Sequence, residues 1–302
     1  MNINTNEPIT DIPFSKNEFL DTAFRTKMNA PTTYINYLDM SETKIGDDGM
    51  AQIGLNLNRQ TITSKNYQVS ATSDKQQAEN LKLFGINTDD QMQSVLINEA
   101  NMNIEKTLKE QYSELGISME KSDWSKWKTF LNKQFGIEFP DYVKESKDLI
   151  NKLFLYSNLI AVKTRRGPAN FIVVPPSIAA FIAEDPRVIL NSIGNSINHG
   201  VTPFATIADK LKVFVDPSSK YEDGTVIIGK TTSDGNPGVV LGEYSRQMLK
   251  IDDISAMDFS QIEKYHLRDR LAITPIGNHP YGYYTKTFII GKKPIWRKII
   301  FA

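Results

Sequence analysis

From Thr88 to Tyr112 an apolar residue returns at every fourth place: Met92, Leu96, Ala100, Ile104, Leu108 and Tyr112, with Val95 and Leu115 widening the stripe. That period belongs to an α-helix with one buried face. Thr88 and Gln91 have capping-box spacing, Asp89 and Asp90 suit the positive end of a helix, and Gly116 is expected as its left-handed stop. The spacing predicts a helix of roughly 27 residues, about 40 Å long at 1.5 Å per residue. Such a rod exceeds twice the usual length. On its own it reads as a long core helix.

Around it the chain alternates between strand and helix signals. Residues 1–27 are polar with little periodicity, and read as an extended arm that needs something to pack against. Met50 to Asn58 alternates strictly, placing Ala51, Ile53, Leu55 and Leu57 on one face and Gln52, Gly54, Asn56 and Asn58 on the other. After an expected turn at Asn58–Gln60, residues 61–70 stay β-prone, so 34–69 reads as a long hairpin. So little apolar area makes a hairpin marginal alone, which predicts that it lies on a neighbour. Further helices are expected at 122–136, with Trp124, Trp127, Phe130, Leu131 and Phe135 inward, and from Pro140 to about Tyr156. Strands are expected at Asn170–Val174, Leu211–Val215, Thr225–Gly229, Gly238–Leu241, Leu271–Thr274, Tyr283–Ile290 and Ile295–Phe301.

Composition excludes several function classes. With 302 residues, 40% hydrophobic and 23% charged, the chain is ordinary globular protein. Lys plus Arg equals Asp plus Glu at 35 each, so no global field draws it to nucleic acid or membrane. The charge is uneven: residues 1–50 are acidic on balance, and 271–302 carry Lys286, Lys292, Lys293, Arg297 and Lys298 with no acid. Read as solvated ends this means little; read otherwise, an acidic arm docks on a basic edge of another copy. There is no cysteine, so disulfides, thiolate metal sites and Cys nucleophiles are out. His199, His266 and His279 lack zinc-like spacing. No cofactor or metal is expected. The start MNINTNEPITDIPF has no signal-peptide pattern, and the apolar region 171–183 is too short to span a bilayer. Synthesis in the cytoplasm and no membrane contact are therefore expected.

Gly224 to Thr231, GTVIIGKT, formally matches a phosphate-binding loop. Thr225, Val226, Ile227 and Ile228 are β-formers, however, and an extended strand cannot also be a cradle of converging amides. The following TSDGNPG cannot continue as the required helix. The pairs Asp252–Asp253 and Asp89–Asp90 carry no mark of an acid/base pair, and no serine sits in a G-x-S-x-G elbow. Arg165 and Arg166 read as exposed turn residues. No residues support an enzyme.

Thr164 to Val174, TRRGPANFIVV, followed by Pro175, Pro176 and a short apolar helix candidate, resembles the signature of tailed-bacteriophage major capsid proteins, T-even-like head proteins in particular. Weaker similarities follow in order: Met28–Asn29–Ala30–Pro31 before TTYINY, the approach Tyr67–Ser70, the run TDDQMQSVLINEANMNIEKTL, then KLKVFVDPSSKYEDGTVIIGK, GVVLGEY and LAITPIG. The resemblance spans residues 28 to 290. It implies an α+β, Hong Kong 97-type capsid fold: an arm at 1–30, an extended-loop hairpin at 31–69, a peripheral domain with a spine helix at 70–120 plus 270–302, and an axial domain at 121–269. It further implies a head protein that self-assembles as hexameric capsomers into an icosahedral shell in the virion. Portal, vertex and scaffold or decoration proteins are the implied partners, and double-stranded DNA fills the interior without sequence-specific contact. Some relatives cross-link a hairpin lysine, and Lys44 and Lys65 lie in that region. Departures are the shorter chain and the lack of an I/L-x-E cleavage site in the first 75 residues, so no processing at such a site is expected.

On this reading Ile53, Leu55 and Leu57 of the hairpin and Phe14 and Phe19 of the arm are the expected subunit contacts, the phenylalanines having their own subunit as the alternative. A pentameric vertex protein or an encapsulin-like nanocompartment shell would share the fold. A P-loop enzyme would instead turn over ATP as a monomer.

Overall fold

The computed structural model describes residues 5–6, 10–40, 44–45, 51–52, 55–118, 146–164, 166–191, 200–218, 225–231, 238–254, 261–277 and 284–288. Three short strands open the chain: β1 (Thr5–Asn6), β2 (Thr10–Asp11) and β3 (Phe24–Lys27). A ribbon follows, from β4 (Thr32–Met40) through β5 (Lys44–Ile45) and β6 (Ala51–Gln52) to β7 (Leu55–Thr63). Next come β8 (Lys65–Asp74), α1 (Lys75–Leu83), α2 (Thr88–Leu115) and β9 (Ile117–Ser118). The middle holds α3 (Ser146–Thr164), β10 (Phe171–Val174), α4 (Pro176–Ile182), β11 (Val188–Leu190), β12 (Thr202–Ile207), β13 (Leu211–Val215) and β14 (Thr225–Gly229). Two long strands, β15 (Gly238–Ile254) and β16 (Gln261–Ile276), and then β17 (Tyr284–Phe288), complete it.

The 28-residue α2 is the organising element. Leu96, Ala100, Ile104, Leu108 and Tyr112 are buried as their four-residue spacing requires, whereas Val95 is exposed and does not widen the stripe. Its cap differs from the capping box expected at Thr88. Asn87 is the N-cap, taking the Asp89 N–H at 3.2 Å and donating to Asp90 Oδ2 at 2.7 Å. Thr88 is already helical and buried. Gly116 is extended (φ −63°) instead of left-handed, and its N–H closes the last turn on the Tyr112 carbonyl at 2.9 Å.

Two sheets meet along α2. In the seven-stranded sheet, order β11-β12-β13-β10-β14-β17-β9, the central β10 is buried on both faces. Ile172 and Val174 join Leu149, Leu153 and Ile160 of α3 in one core; Phe171 and Val173 join Ile104, Leu108 and Tyr112 of α2 in another. This explains the unbroken apolar run at 171–174, because a strand covered on both faces needs no alternation. The second sheet is built on the β15–β16 pair, with β8 beyond β16 and β1, β2 and β3 along β15. Its inner face meets α2 through Tyr265 and Leu267 packed on Leu96 and Ala100.

Several expectations change. The hairpin does not turn at Asn58–Gln60, which lie inside β7; β7 pairs back to β4, and β8 leaves the ribbon to pair with β16. The expected boundary at 269/270 falls inside β16, whose Tyr265 and Leu267 pack on Leu96 and Ala100 of α2. β17 lies in the seven-stranded sheet between β14 and β9, and it also contacts the spine helix α2. The strands expected at Gly238–Leu241 and Leu271–Thr274 are the near ends of strands of 17 and 16 residues. The helix from 122, the start of the next near Pro140, the strand 295–301 and Ile53 lie outside the described residues; the second helix runs past Tyr156 to Thr164.

Candidate assembly surfaces

The ribbon has two unlike faces. Ile35, Tyr37 and Ile62 point into a small core with Met28, Val240, Ala272 and Ile276, and Gln60 Nε2 donates to the Pro275 carbonyl at 3.0 Å. This roots the ribbon on its own subunit. On the opposite face Leu57 is 69% exposed and Tyr34 54%, with the Arg59 guanidinium 3.7 Å above the Tyr34 ring. Leu57 stands opposite Leu38, and Leu55, whose backbone opens β7, opposite Met40. Among the described residues β4 and β7 form a sheet of two strands, as do β5 and β6. Such a ribbon is marginally stable without something laid against it.

The arm behaves differently from the ribbon. β2 pairs antiparallel and β3 parallel with β15, so residues 10–27 hydrogen-bond to their own subunit. Phe19 is fully buried, with Phe214 at 5.5 Å and Tyr112 at 6.3 Å in edge contacts. Thr22 Oγ1 and Tyr112 OH lie 2.8 Å apart. Phe19 therefore packs in the core of its own subunit, the alternative that the sequence left open for the arm phenylalanines. An aromatic of that size gains most where several elements converge, and the α2–β13 junction supplies them. Phe14 is half-buried, its ring 4.6 Å from the Arg246 guanidinium carbon.

Two buried ionic sites hold these parts together. Glu105 of α2 is 2% exposed and accepts the Val201 N–H at 2.6 Å and the Asn17 side-chain amide of the arm. A Cβ on Gly200 would lie 1.9 Å from its Oε2, so any larger residue there would force the carboxylate to move. Burial pushes the Glu105 carboxyl up to about 7, against the opposing pull of these two hydrogen bonds. Arg246 and Asp269 form a buried bidentate pair, both bonds 2.8 Å, with Asn101 Oδ1 accepting from Nη2 at 3.0 Å. None of these was singled out in the sequence. A signal existed: Asn101, Glu105, Leu108 and Tyr112 are spaced 4, 3 and 4, so two polar groups share the buried helical face.

At the head of α2, Asp89 accepts from Lys250 Nζ at 2.9 Å and Tyr265 OH at 2.5 Å. Burial would raise the Asp89 carboxyl, but these donors hold it below the usual range.

The formal phosphate-loop match is a strand, Thr225–Gly229, paired to β10 and β17. Lys230 Nζ donates to the Arg166 carbonyl, and Thr231 donates from N at 2.7 Å and Oγ1 at 2.9 Å to Asn170 Oδ1. Gly167 turns at φ +97° beneath that lysine. The residues of the false motif thus pin the Arg166–Asn170 turn that leads into β10. Arg165 lies outside the described residues; among the described residues no helix is long and apolar enough to cross a membrane.

The family model described as Major capsid protein Gp23 matches residues 3–239. Among solved structures, one from Mycobacterium phage Bobi is similar with a TM-score of 0.54 at 10% identity, covering 93% of each chain. One from Microbacterium phage Oxtober96 gives 0.52 at 11% identity, over 95% of this chain and 94% of its own. A third, from Mycobacterium phage Adephagia, gives 0.50 at 10%, over 93% and 92%. At such identities the likeness is one of fold. No curated protein sequence matches the chain.

Proposed function

This chain belongs to the major capsid protein Gp23 family, and from that premise we propose that its copies close into an icosahedral phage head by laying the outer face of each ribbon on an adjacent subunit. The observation that carries this is Leu57, two-thirds exposed on a ribbon whose other face is rooted in its own body. Burying a side chain of that size contributes about 1.5–3 kcal/mol. Repeated around a ring, such modest contacts act together. Ile53 and Leu55 share the parity of Leu57 in the sequence alternation. Phe14 joins the contact where the arm crosses β15.

The contact is heterologous, ribbon on body, and closes when rotation returns to the first subunit. Six-fold capsomers with DNA inside, and portal, vertex and scaffold or decoration proteins as partners, complete this reading. The role is structural, with no catalytic step. Synthesis takes place in the host cytoplasm before assembly into the virion.

Electron microscopy of the purified protein tests the reading. Closed shells or hexameric sheets are expected; isolated pentamers would assign a vertex role, and monomers at high concentration would end the proposal.

A further inference from the structure

The most exposed large apolar side chains among the described residues lie off the ribbon, where α1 ends. Leu83 is 84% exposed and Phe84 81%. A formed turn holds them outward. Gly85 takes φ +75°, its N–H closes on the Lys82 carbonyl at 3.0 Å, and Ile86 N–H returns to the Leu81 carbonyl at 3.1 Å. Leu81 and Ile86 are half-buried by this reversal, and Leu83 and Phe84 between them stay in solvent. Exposed apolar pairs on such a fixed corner mark contact sites.

The ribbon's outer face matches the corner in polarity and spacing. Leu57 and Arg59 stand two positions apart on one face of β7, about 7 Å along the strand. Glu79 and Leu83 stand four positions apart on α1, about 5–6 Å between neighbouring side chains. Each pair joins a leucine to an exposed charge, and the two charges have opposite sign. Arg59 is the one charge of the outer face among the described residues, and neither it nor Glu79 has an ion pair there. Lys82, the base next to Leu83, interacts electrostatically with Asp89.

A subunit cannot make this contact with itself. The ribbon is rooted on Val240, Ala272 and Ile276, near the tail of α2, where Tyr112 shares a core with Leu271. Leu57 stays close to that root, since it pairs with Leu38, the residue after Tyr37. α1 begins after Asp74, which pairs with Ile262 near the opposite end of β16, and Asp89 at the head of α2 meets Tyr265. From Ile262 to Ile276 an extended strand runs about 45 Å, whereas the nine residues of α1 span about 13 Å. Root and corner therefore stand at opposite ends of the spine.

We propose that the outer face of one subunit's ribbon seats on the α1 corner of the next, Leu57 packing on Leu83 and Phe84 and Arg59 pairing with Glu79. This rests on the shell-building reading and specifies the receptor for the ribbon. Because the two surfaces lie at opposite ends of one subunit, the contact runs head to tail and propagates around a ring. The ion pair fixes its register.

The chain has no cysteine, so an introduced pair reports unambiguously. Asn36, opposite Arg59 on the ribbon, and Asn80, beside Glu79 on α1, are both exposed. Asn36→Cys with Asn80→Cys leaves every proposed contact in place. Treating assembled particles with a short bismaleimide is expected to give a ladder of covalent dimers, trimers and higher species on a denaturing gel, each single variant giving none. A monomer band alone would overturn the proposal, and cross-linking by Asn36→Cys alone would place a second ribbon on the face instead. As an independent arm, Arg59→Glu and Glu79→Arg are each expected to reduce particle yield by about tenfold or more, the factor that 1.4 kcal/mol of lost contact produces. Combining the two changes is expected to restore assembly. Wild-type yield from either single reversal, or no recovery in the combined variant while circular dichroism shows it folded, would refute the pairing. If the wild-type chain forms no particles, the shell reading itself fails, and that outcome is distinct.

Discussion

Glu105 shows how a single residue links arm, spine and sheet. Its carboxyl is raised to about 7 by burial, so the native state holds a proton that the unfolded chain releases near 4.5. Stability from this group is therefore complete below pH 4.5 and is lost as pH rises through 7, by at most about 3 kcal/mol. Denaturant midpoints of the unassembled subunit, compared at pH 5 and pH 8, are expected to fall with pH, and the Glu105→Ala variant is expected to flatten that slope. Its neighbours include Asp216, whose charge adds to the rise, and Asp216 is itself paired with Lys109. Gly200→Ala attacks the same site sterically, since the new Cβ meets the carboxylate; a loss of about 1–3 kcal/mol is expected in thermal unfolding. The Arg246–Asp269 pair should be more sensitive. Asp269→Ala leaves a guanidinium uncompensated in the core, at a cost of about 3–5 kcal/mol in urea titration.

At the scale of elements, α2 and the ribbon have opposite dependences on context. The helix buries its stripe inside its own subunit, and its spacing alone identified it nearly to the residue. The ribbon pairs with itself and leaves Leu57 and Tyr34 in solvent. Replacing residues 39–56 by a two-glycine turn should leave the subunit's circular dichroism and unfolding midpoint nearly unchanged, within about 0.5 kcal/mol. The same variant is expected to sediment as a monomer under conditions where the parent forms particles. An unfolded product would show instead that the ribbon supports its own subunit. The turn once expected at Asn58–Gln60 failed for a physical reason. Asn and Arg are tolerated in a solvated ribbon strand, and the Asp48-Gly49 turn signal precedes the alternating run from which the hairpin is read.

At the scale of the molecule, zero formal net charge does little to keep copies apart, and Leu57 and Tyr34 on the outer face of the ribbon are exposed. The unfolding temperature is accordingly expected to rise with protein concentration, because assembly binds the native state alone. A concentration-independent midpoint between dilute and concentrated samples would contradict this. Residue order by itself determined the long helix, a strand after Gly167, the strand nature of the false phosphate loop and the alternation within the ribbon, since each depends on periodicity or propensity over a short window. Only the tertiary structure decided the rest. Whether residues 10–27 are a free arm, which strand β8 pairs with, that Glu105 meets Gly200 and that Arg246 meets Asp269 are all settled by partners up to 236 positions away. Backbone hydrogen bonds and buried charges are satisfied by whatever the fold brings near, and no local pattern records which group that will be.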